Sequence, residues 1–461
     1  MSRHRFAGAL LALAALLCLP PGASAQSQGQ IDYETYTLDN GLRVVLAEDH
    51  STPVVTVDVW YHVGSRHDPE GRSGFAHLFE HMMFQGSAHV GRTEETEHLA
   101  MVESVGGNAN GSTADDRTNY FEMVPANRVN LALWLEADRM RYLEITQEKF
   151  ENQRDVVKEE RRLRVDNQPY GVGFRRSLVL PYDEETCFGY SRMGIGSMED
   201  LNAASLEDVQ AFYDRHYAPN NAVLTVVGDF DPATVRELVR RYFAGAEPSE
   251  LPPERECTVD FDAGFRIDSV MDRNANLPGV TWTFRTPRHD HPDTYPLTLL
   301  ATIVGQGESS RLHRALVKEA GAASNVNTFN QQREGPGLFF SFAFANRGVT
   351  TDSLRTLFWR EIERLHREPP GAEELEKAKN SFESDHVMGR QSVLQKAEAL
   401  QHFAAYHDDL ADVNTARERY MSVTREDLRR VIDEYLTREN LTVLVDIPTD
   451  DEDQGDDGSE S

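Results

Sequence analysis

The chain has 461 residues, a length for roughly two to four domains. Its composition, 39% hydrophobic and 27% charged, excludes a mainly disordered, collagenous or disulfide-scaffold protein. With 47 Lys and Arg against 76 Asp and Glu, net −29, the surface repels phosphate backbones and anionic lipid. That argues against nucleic acid and membrane surfaces as partners and leaves cationic or neutral ones.

Arg3 and Arg5 precede an apolar run over residues 7–19, and Ala23-Ser24-Ala25 fits a cleavage site before Gln26. This three-part pattern reads as a secretory signal peptide over residues 1–25, so a secreted or periplasmic protein is expected. The run is short for a membrane span, and no later stretch is long and apolar enough for one. Cleavage leaves Cys187 and Cys257, whose pairing an oxidising compartment would allow and the sequence leaves open. Asp39-Asn40-Gly41 then separates apolar segments at 36–38 and 42–47, which predicts a hairpin turning at Asn-Gly. A third strand is predicted at 54–60. Helical periodicity follows around 75–84, 93–104, 127–142 and 147–165, with a strand at 119–123. A helix near 205–215, an apolar strand at 222–227 and a helix near 232–243 complete a first domain, 26–243.

Residues 244–257 hold Pro248, Pro252, Pro253 and several acids and read as a linker. Beyond them the pattern restarts. A strand is predicted at 280–286, Arg288-His289-Asp290 echoes Arg66-His67-Asp68, and Gln306-Gly307 echoes Gln85-Gly86 after an intervening helix. Long helical patterns between 351 and 438 and a strand at 441–445 close a second domain, 258–448. The last residues, 449–461, carry seven acids and no apolar residue and read as a disordered tail. Hairpins mixed with helices, rather than regular βαβ units, predict an α+β fold of two homologous α/β halves, each a mixed sheet packed with helices.

The chemistry lies in His77-Leu78-Phe79-Glu80-His81. On a helix the two histidines, four apart, reach one ion, and Glu80 lies beside them. Phe75, Leu78, Phe79, Met82 and Met83 cover the opposite face. A solvent-facing helix would carry Lys, Arg and Glu. Here the two histidines and Glu80 are the only titratable groups between Phe75 and Gln85, so the face reads as the wall of a cavity. A catalytic zinc needs a third protein ligand. In the helix around 147–165, Phe150, Val156, Val157 and Leu163 define an apolar side with Glu160 near its middle, whereas Glu159 lies with Glu148, Asp155 and Arg162. A carboxylate on an apolar side is costly unless paired or metal-bound, which favours Glu160.

With these residues in hand, the sequence resembles the insulinase/pitrilysin and mitochondrial processing peptidase family of inverted-motif zinc peptidases. The resemblance spans the mature chain to about Pro448. It rests on Leu38-Asp-Asn-Gly-Leu42, on residues 74–84 around the His motif, on Gly106-Gly-Asn-Ala-Asn-Gly-Ser-Thr113 with Thr118-Asn-Tyr120, and on Gln153-Arg-Asp-Val-Val-Lys-Glu-Glu160. It implies two halves forming a clam-like chamber, one Zn2+ per chain held by His77, His81 and Glu160, and Glu80 as the general base. It also implies a peptide substrate bound by strand addition at an edge strand near 110–113, with Asn110 and Gly111 in contact.

The sequence departs from the family pattern in three places. Gln153 stands where relatives carry an acid seven residues before the third ligand, an amide that adds no charge to the shell around the metal. The second half's counterpart of the His helix, Thr298-Leu-Leu-Ala-Thr302, has no His or Glu, so that half is expected to be a metal-free wall. Relatives also carry an Arg and a Tyr that grip the substrate backbone; here Val317 and Ser324 stand at those positions and cannot do so. The chain therefore resembles the zinc-bearing subunit of a heterodimer whose homologous, zinc-free partner supplies the pair. The competing reading, a non-catalytic structural or peptide-binding subunit of the same fold, leaves the intact His77, Glu80, His81 and Glu160 without a purpose. If the net negative charge lines the chamber, cationic and neutral peptides should enter more readily than acidic ones.

Overall fold

Gly41, with φ +89°, takes the left-handed conformation that glycine adopts at little cost. It reverses the chain between β1 (Glu34–Thr37) and β2 (Arg43–Glu48), which pair antiparallel as the Asn-Gly spacing predicts. The structure, a computed structural model, describes residues 30–407 and 409–449. The expected signal peptide and all of the expected acidic tail except Thr449 lie outside the described residues.

Four more strands, β3 (Val54–Tyr61), β4 (Asn108–Thr113), β5 (Thr118–Pro125) and β6 (Ala222–Gly228), complete a six-stranded sheet in the order β1-β2-β6-β3-β5-β4. A second sheet holds β7 (Arg266–Asp272), β8 (Gly279–Thr286), β9 (Ala323–Gln331), β10 (Gly337–Ala345) and β11 (Leu441–Pro448), in the order β7-β11-β8-β10-β9. Without β1, the first order maps onto the second strand for strand. The one parallel pair falls at the same place in each, β2 with β6 and β7 with β11, and every other pair is antiparallel. The sequence echoes sit on this repeat. Gly86 and Gly307 both have positive φ, +98° and +75°, just after the counterpart helices Phe75–Met82 and Thr294–Gly305.

The halves interlock rather than merely touch. Helix Gly171–Val179, from the first half, packs on β7, β8 and β11. Helix Val393–Tyr406, from the second, packs on β3 and β6. Its Val393, Ala397, Leu400 and Ala404 are buried against Val45, Val223 and Val227. Gln401 Nε2 donates to the carbonyls of Asp58 (2.7 Å) and Val223 (2.9 Å). Two larger apolar cores lie under the sheets, one in each half.

The proline-rich segment 244–257 is fastened to the first half. Ser249 N donates to Asn220 Oδ1 (3.0 Å), Asn220 Nδ2 returns a bond to Ser249 O (2.9 Å), and Cys257 forms a disulfide with Cys187. The pairing that the sequence left open is thus made. Among the described residues, no helix is long and apolar enough to cross a membrane.

Candidate active site

The Phe75–Met82 helix is set from its first residue. Gly74 enters it at φ +92°, and a Cβ there would meet the Gly196 Cα at 2.7 Å. The buried Asp68 carboxylate accepts from the backbone N–H groups of Gly74 (2.6 Å) and Ala76 (2.9 Å), supplying the N-terminal cap that glycine lacks. Burial pushes the Asp68 carboxyl up to about 7. Phe75, Leu78, Phe79, Met82 and Met83 are buried, as the sequence pattern predicts. Phe79 stacks on Phe212 and Tyr213, and the Tyr120 hydroxyl donates to the Phe79 carbonyl (3.0 Å). Three sides of the helix are thereby fixed, and the fourth presents His77, Glu80 and His81.

Glu160 comes from the last turn of helix Gln147–Arg161, whose start Thr146 caps through Lys149 N (3.3 Å). The buried line of this helix is Phe150, Gln153 and Val157, and it runs on to Glu160. Val156 and Leu163, assigned to the apolar side by sequence, are instead 42% and 55% exposed. The buried stripe is narrower than the pattern suggests. A π-helical turn over Arg162–Asp166 also rotates everything after Arg161 out of phase. Glu159 points to solvent and pairs with Arg162 (3.0 Å).

The three groups meet. Glu160 Oε2 lies 3.0 Å from His81 Nε2 and 3.6 Å from His77 Nε2. One ligand atom from each lies within 4.8 Å of the others. Zinc bonds of about 2.0–2.2 Å place tetrahedral ligand atoms roughly 3.3–3.6 Å apart, so this set fits a single zinc ion. Burial lowers the His77 pKa, which favours the neutral imidazole a metal requires. The outer carboxylate oxygen, Glu160 Oε1, pairs with Arg164 Nη1 (2.9 Å).

His77, Glu80 and Glu160 line a cavity of about 600 Å³ between the halves. The first half contributes residues 111–117, and the second contributes His289, residues 331–334, His402 and Tyr406. β4 borders the cavity as an edge strand that, among the described residues, pairs only with β5. Of the two implied contact residues, Gly111 lines the cavity and Asn110 does not; Asn110 is exposed, and its Oδ1 accepts from Gly111 N (2.9 Å). Gln153 is buried two turns before Glu160. Val317 packs against the second core and Ser324 is exposed at the start of β9, both away from this cavity.

Several wall residues escaped the sequence reading. Arg164 had a usable signal, its position four residues beyond Glu160. His402 and Tyr406 had none, because they arrive on the helix that the second half lends to the first sheet.

A family model described as insulinase (peptidase family M16) matches residues 43–172, and one described as the peptidase M16 inactive domain matches residues 203–382. Zinc protease PqqE of Helicobacter pylori is 30% identical over 451 residues, covering 96% of this chain and 99% of that protein. The crystal structure of a protease from Helicobacter pylori superposes with a TM-score of 0.85 at 29% identity, covering 91% of this chain and 100% of that one. A probable mitochondrial-processing peptidase subunit beta of Arabidopsis thaliana is 27% identical over 339 residues, 68% of this chain and 60% of that protein.

Proposed function

The chain belongs to the insulinase (M16) family of peptidases, and from that premise we propose that it is a zinc-dependent endopeptidase acting on extended peptides. The observation that carries the reading is the convergence of His77, His81 and Glu160 on one point, with Glu80 on the same helix and facing the same cavity. A zinc ion held by these three side chains would polarise a scissile carbonyl and lower the pKa of the attacking water. Glu80 accepts the proton from that water and passes it to the leaving amine. β4 receives the peptide as an added strand, with Asn110 and Gly111 in contact; a Cβ at Gly111 would crowd the Tyr120 and Phe84 rings and push the strand out of place. Gln153, buried two turns before Glu160, adds no charge beside it.

Val317 has no side-chain donor, and the Ser324 hydroxyl is too short to reach where a tyrosine would grip a substrate backbone. We infer that a homologous zinc-free subunit supplies them in a heterodimer; the Arabidopsis relative is itself named as a subunit. The signal-peptide pattern supports a secreted or periplasmic location, and the Cys187–Cys257 disulfide is consistent with an oxidising compartment.

Glu80→Gln tests the reading. The variant should retain one zinc per chain and lose on the order of 10²–10⁴-fold in turnover, whereas His77→Ala should lose both zinc and turnover. Turnover is measured for the chain alone, expected to be slow, and for the chain with a zinc-free homologue. A wild-type chain that binds no zinc, or a Glu80→Gln variant that cleaves as fast as wild type, overturns the proposal.

A further inference from the structure

The carboxylates facing the cleft are nearly all neutralised. Asp115 pairs with Arg333 (2.7 Å), Asp116 with Arg66 (3.3 Å) and the Tyr190 hydroxyl, and Glu334 with His62 and Arg66 (both 2.6 Å). Glu160 belongs to the candidate metal centre, which leaves Glu80.

Arg333 is taken up by Asp115, but three other arginines on the same wall are not neutralised in this way. Arg117 donates to the Ser112 carbonyl (2.9 Å), Ser112 Oγ (2.5 Å) and Asn119 Oδ1 (2.9 Å), and its guanidinium sits 4.7 Å over the Trp60 ring, all uncharged partners; Asp58 and Glu398 act on it only from beyond ion-pair distance. Arg175, on the helix lent to the second sheet, is exposed on the cavity wall and has no carboxylate within ion-pair distance among the described residues. Arg164, with a 75% exposed side chain, has only Glu160 Oε1, on a carboxylate shared with the candidate metal centre. Three guanidinium groups from three separate elements thus face one cleft beside the reacting centre.

We propose that this wall selects peptides carrying an acidic side chain near the scissile bond, with Arg117, Arg164 and Arg175 as the specificity-determining residues. The inference rests on the peptidase reading of the site. It runs against the whole-chain charge, which favours cationic and neutral peptides. Surface charges beyond a Debye length of about 8–10 Å are screened, whereas charges lining a cleft act at short range and through less water. An arginine fork also matches a carboxylate in shape, which gives selectivity beyond simple attraction.

The test uses the full-length, zinc-loaded Glu80→Gln protein, which binds without turning over. Labelled, otherwise neutral extended peptides bearing a single Glu, Gln or Lys are titrated by fluorescence anisotropy at low and high salt. The Glu peptide should bind on the order of tenfold more tightly than the Lys peptide at low salt, with the Gln peptide between them, and the gap should narrow at high salt. The Arg175→Gln variant changes an exposed side chain that touches none of the candidate ligands, and it should narrow the gap while keeping its affinity for the Gln peptide. Equal binding of the Glu and Lys peptides, tighter binding of the Lys peptide, no binding of the Glu peptide, or an undiminished gap in Arg175→Gln overturns the proposal. Zinc content and Glu80-dependent cleavage of the Gln peptide by wild type report separately on the peptidase reading. If both hold and the acid preference is absent, this inference alone falls.

Discussion

Asp68 holds the entrance of the helix that carries His77, Glu80 and His81. Its carboxylate satisfies two buried N–H groups at a helix start where Gly74 has no side chain to offer. Asp68→Ala leaves both donors without an acceptor and should cost about 1–3 kcal/mol in denaturant unfolding. It should also weaken zinc binding, because the two histidines depend on the register of this short helix. Gly74→Ala should do the same for another reason, its left-handed φ and the approach of Gly196 backbone. Urea titrations and zinc competition assays check both; an unchanged midpoint in Asp68→Ala would show that the cap is dispensable. The metal-centre candidates were legible at this scale because helical period alone brings His77, Glu80 and His81 to one face. Asp68 was visible only as part of an echoed tripeptide. Its capping role depends on a chain reversal between residues 68 and 74 that no local pattern announces.

Elements were legible where their faces differ. The hairpin, β3, β5, β6 and the first-half helices that begin at Phe75, His98, Val129, Gln147, Leu206 and Pro232 fall where alternation or helical period is clean, whereas Gly171–Val179 and Met198–Ala203 were missed. β9 was missed because its sequence, Ala-Ser-Asn-Val-Asn-Thr-Phe-Asn-Gln, is a polar edge whose structure comes from pairing with β10. β10 was missed because a continuous apolar run does not distinguish a buried strand from a buried helix. β11 was found, yet it carries a group that sequence gives no reason to notice. Asp446 is 3% exposed beneath helix Gly171–Val179, where the bare Gly173 makes room for it, and its Oδ1 has no hydrogen-bond partner. Burial, with Asp272 nearby, pushes its carboxyl up to about 7. The unfolded group titrates near 3.9, so between about pH 4 and pH 7 the folded protein keeps a proton that the unfolded chain has lost. Stability from this group is therefore present at low pH, falls as pH rises through that window, and is level above it. Asp446→Asn should raise Tm by roughly 2 °C or more at pH 8 and change it little at pH 4. Thermal melts across that range test this, and a Tm gain that is the same at both ends would mean the charge is not the cause.

At the scale of the molecule, the two halves are one folding unit because each lends the other a helix. The duplication was legible in sequence as a restart, and it predicted two similar sheets. It gave no hint of the exchange, since the sequence does not mark Gly171–Val179 as a helix and Val393–Tyr406 lies within the long helical patterns of its own half. The consequence for function is direct. One lent helix carries Arg175 and the other carries His402 and Tyr406, so the cleft has its complete lining only while the exchange holds. Leu400 is fully buried in the contact between Val393–Tyr406 and the first sheet. Truncating it to alanine should cost about 2–5 kcal/mol, and the loss should reach the distant second core. If the halves are coupled, Leu400→Ala lowers a single transition seen alike by fluorescence and by circular dichroism. If they are independent, the melt splits, with the second half unfolding at its original temperature. Residues 26–257 expressed alone carry the same argument further. They keep the three candidate ligands yet expose the apolar face of β3 and β6, so they should bind a hydrophobic dye and take up zinc weakly. Adding residues 258–448 in trans should abolish the dye binding and restore zinc uptake, because the missing helix arrives with them.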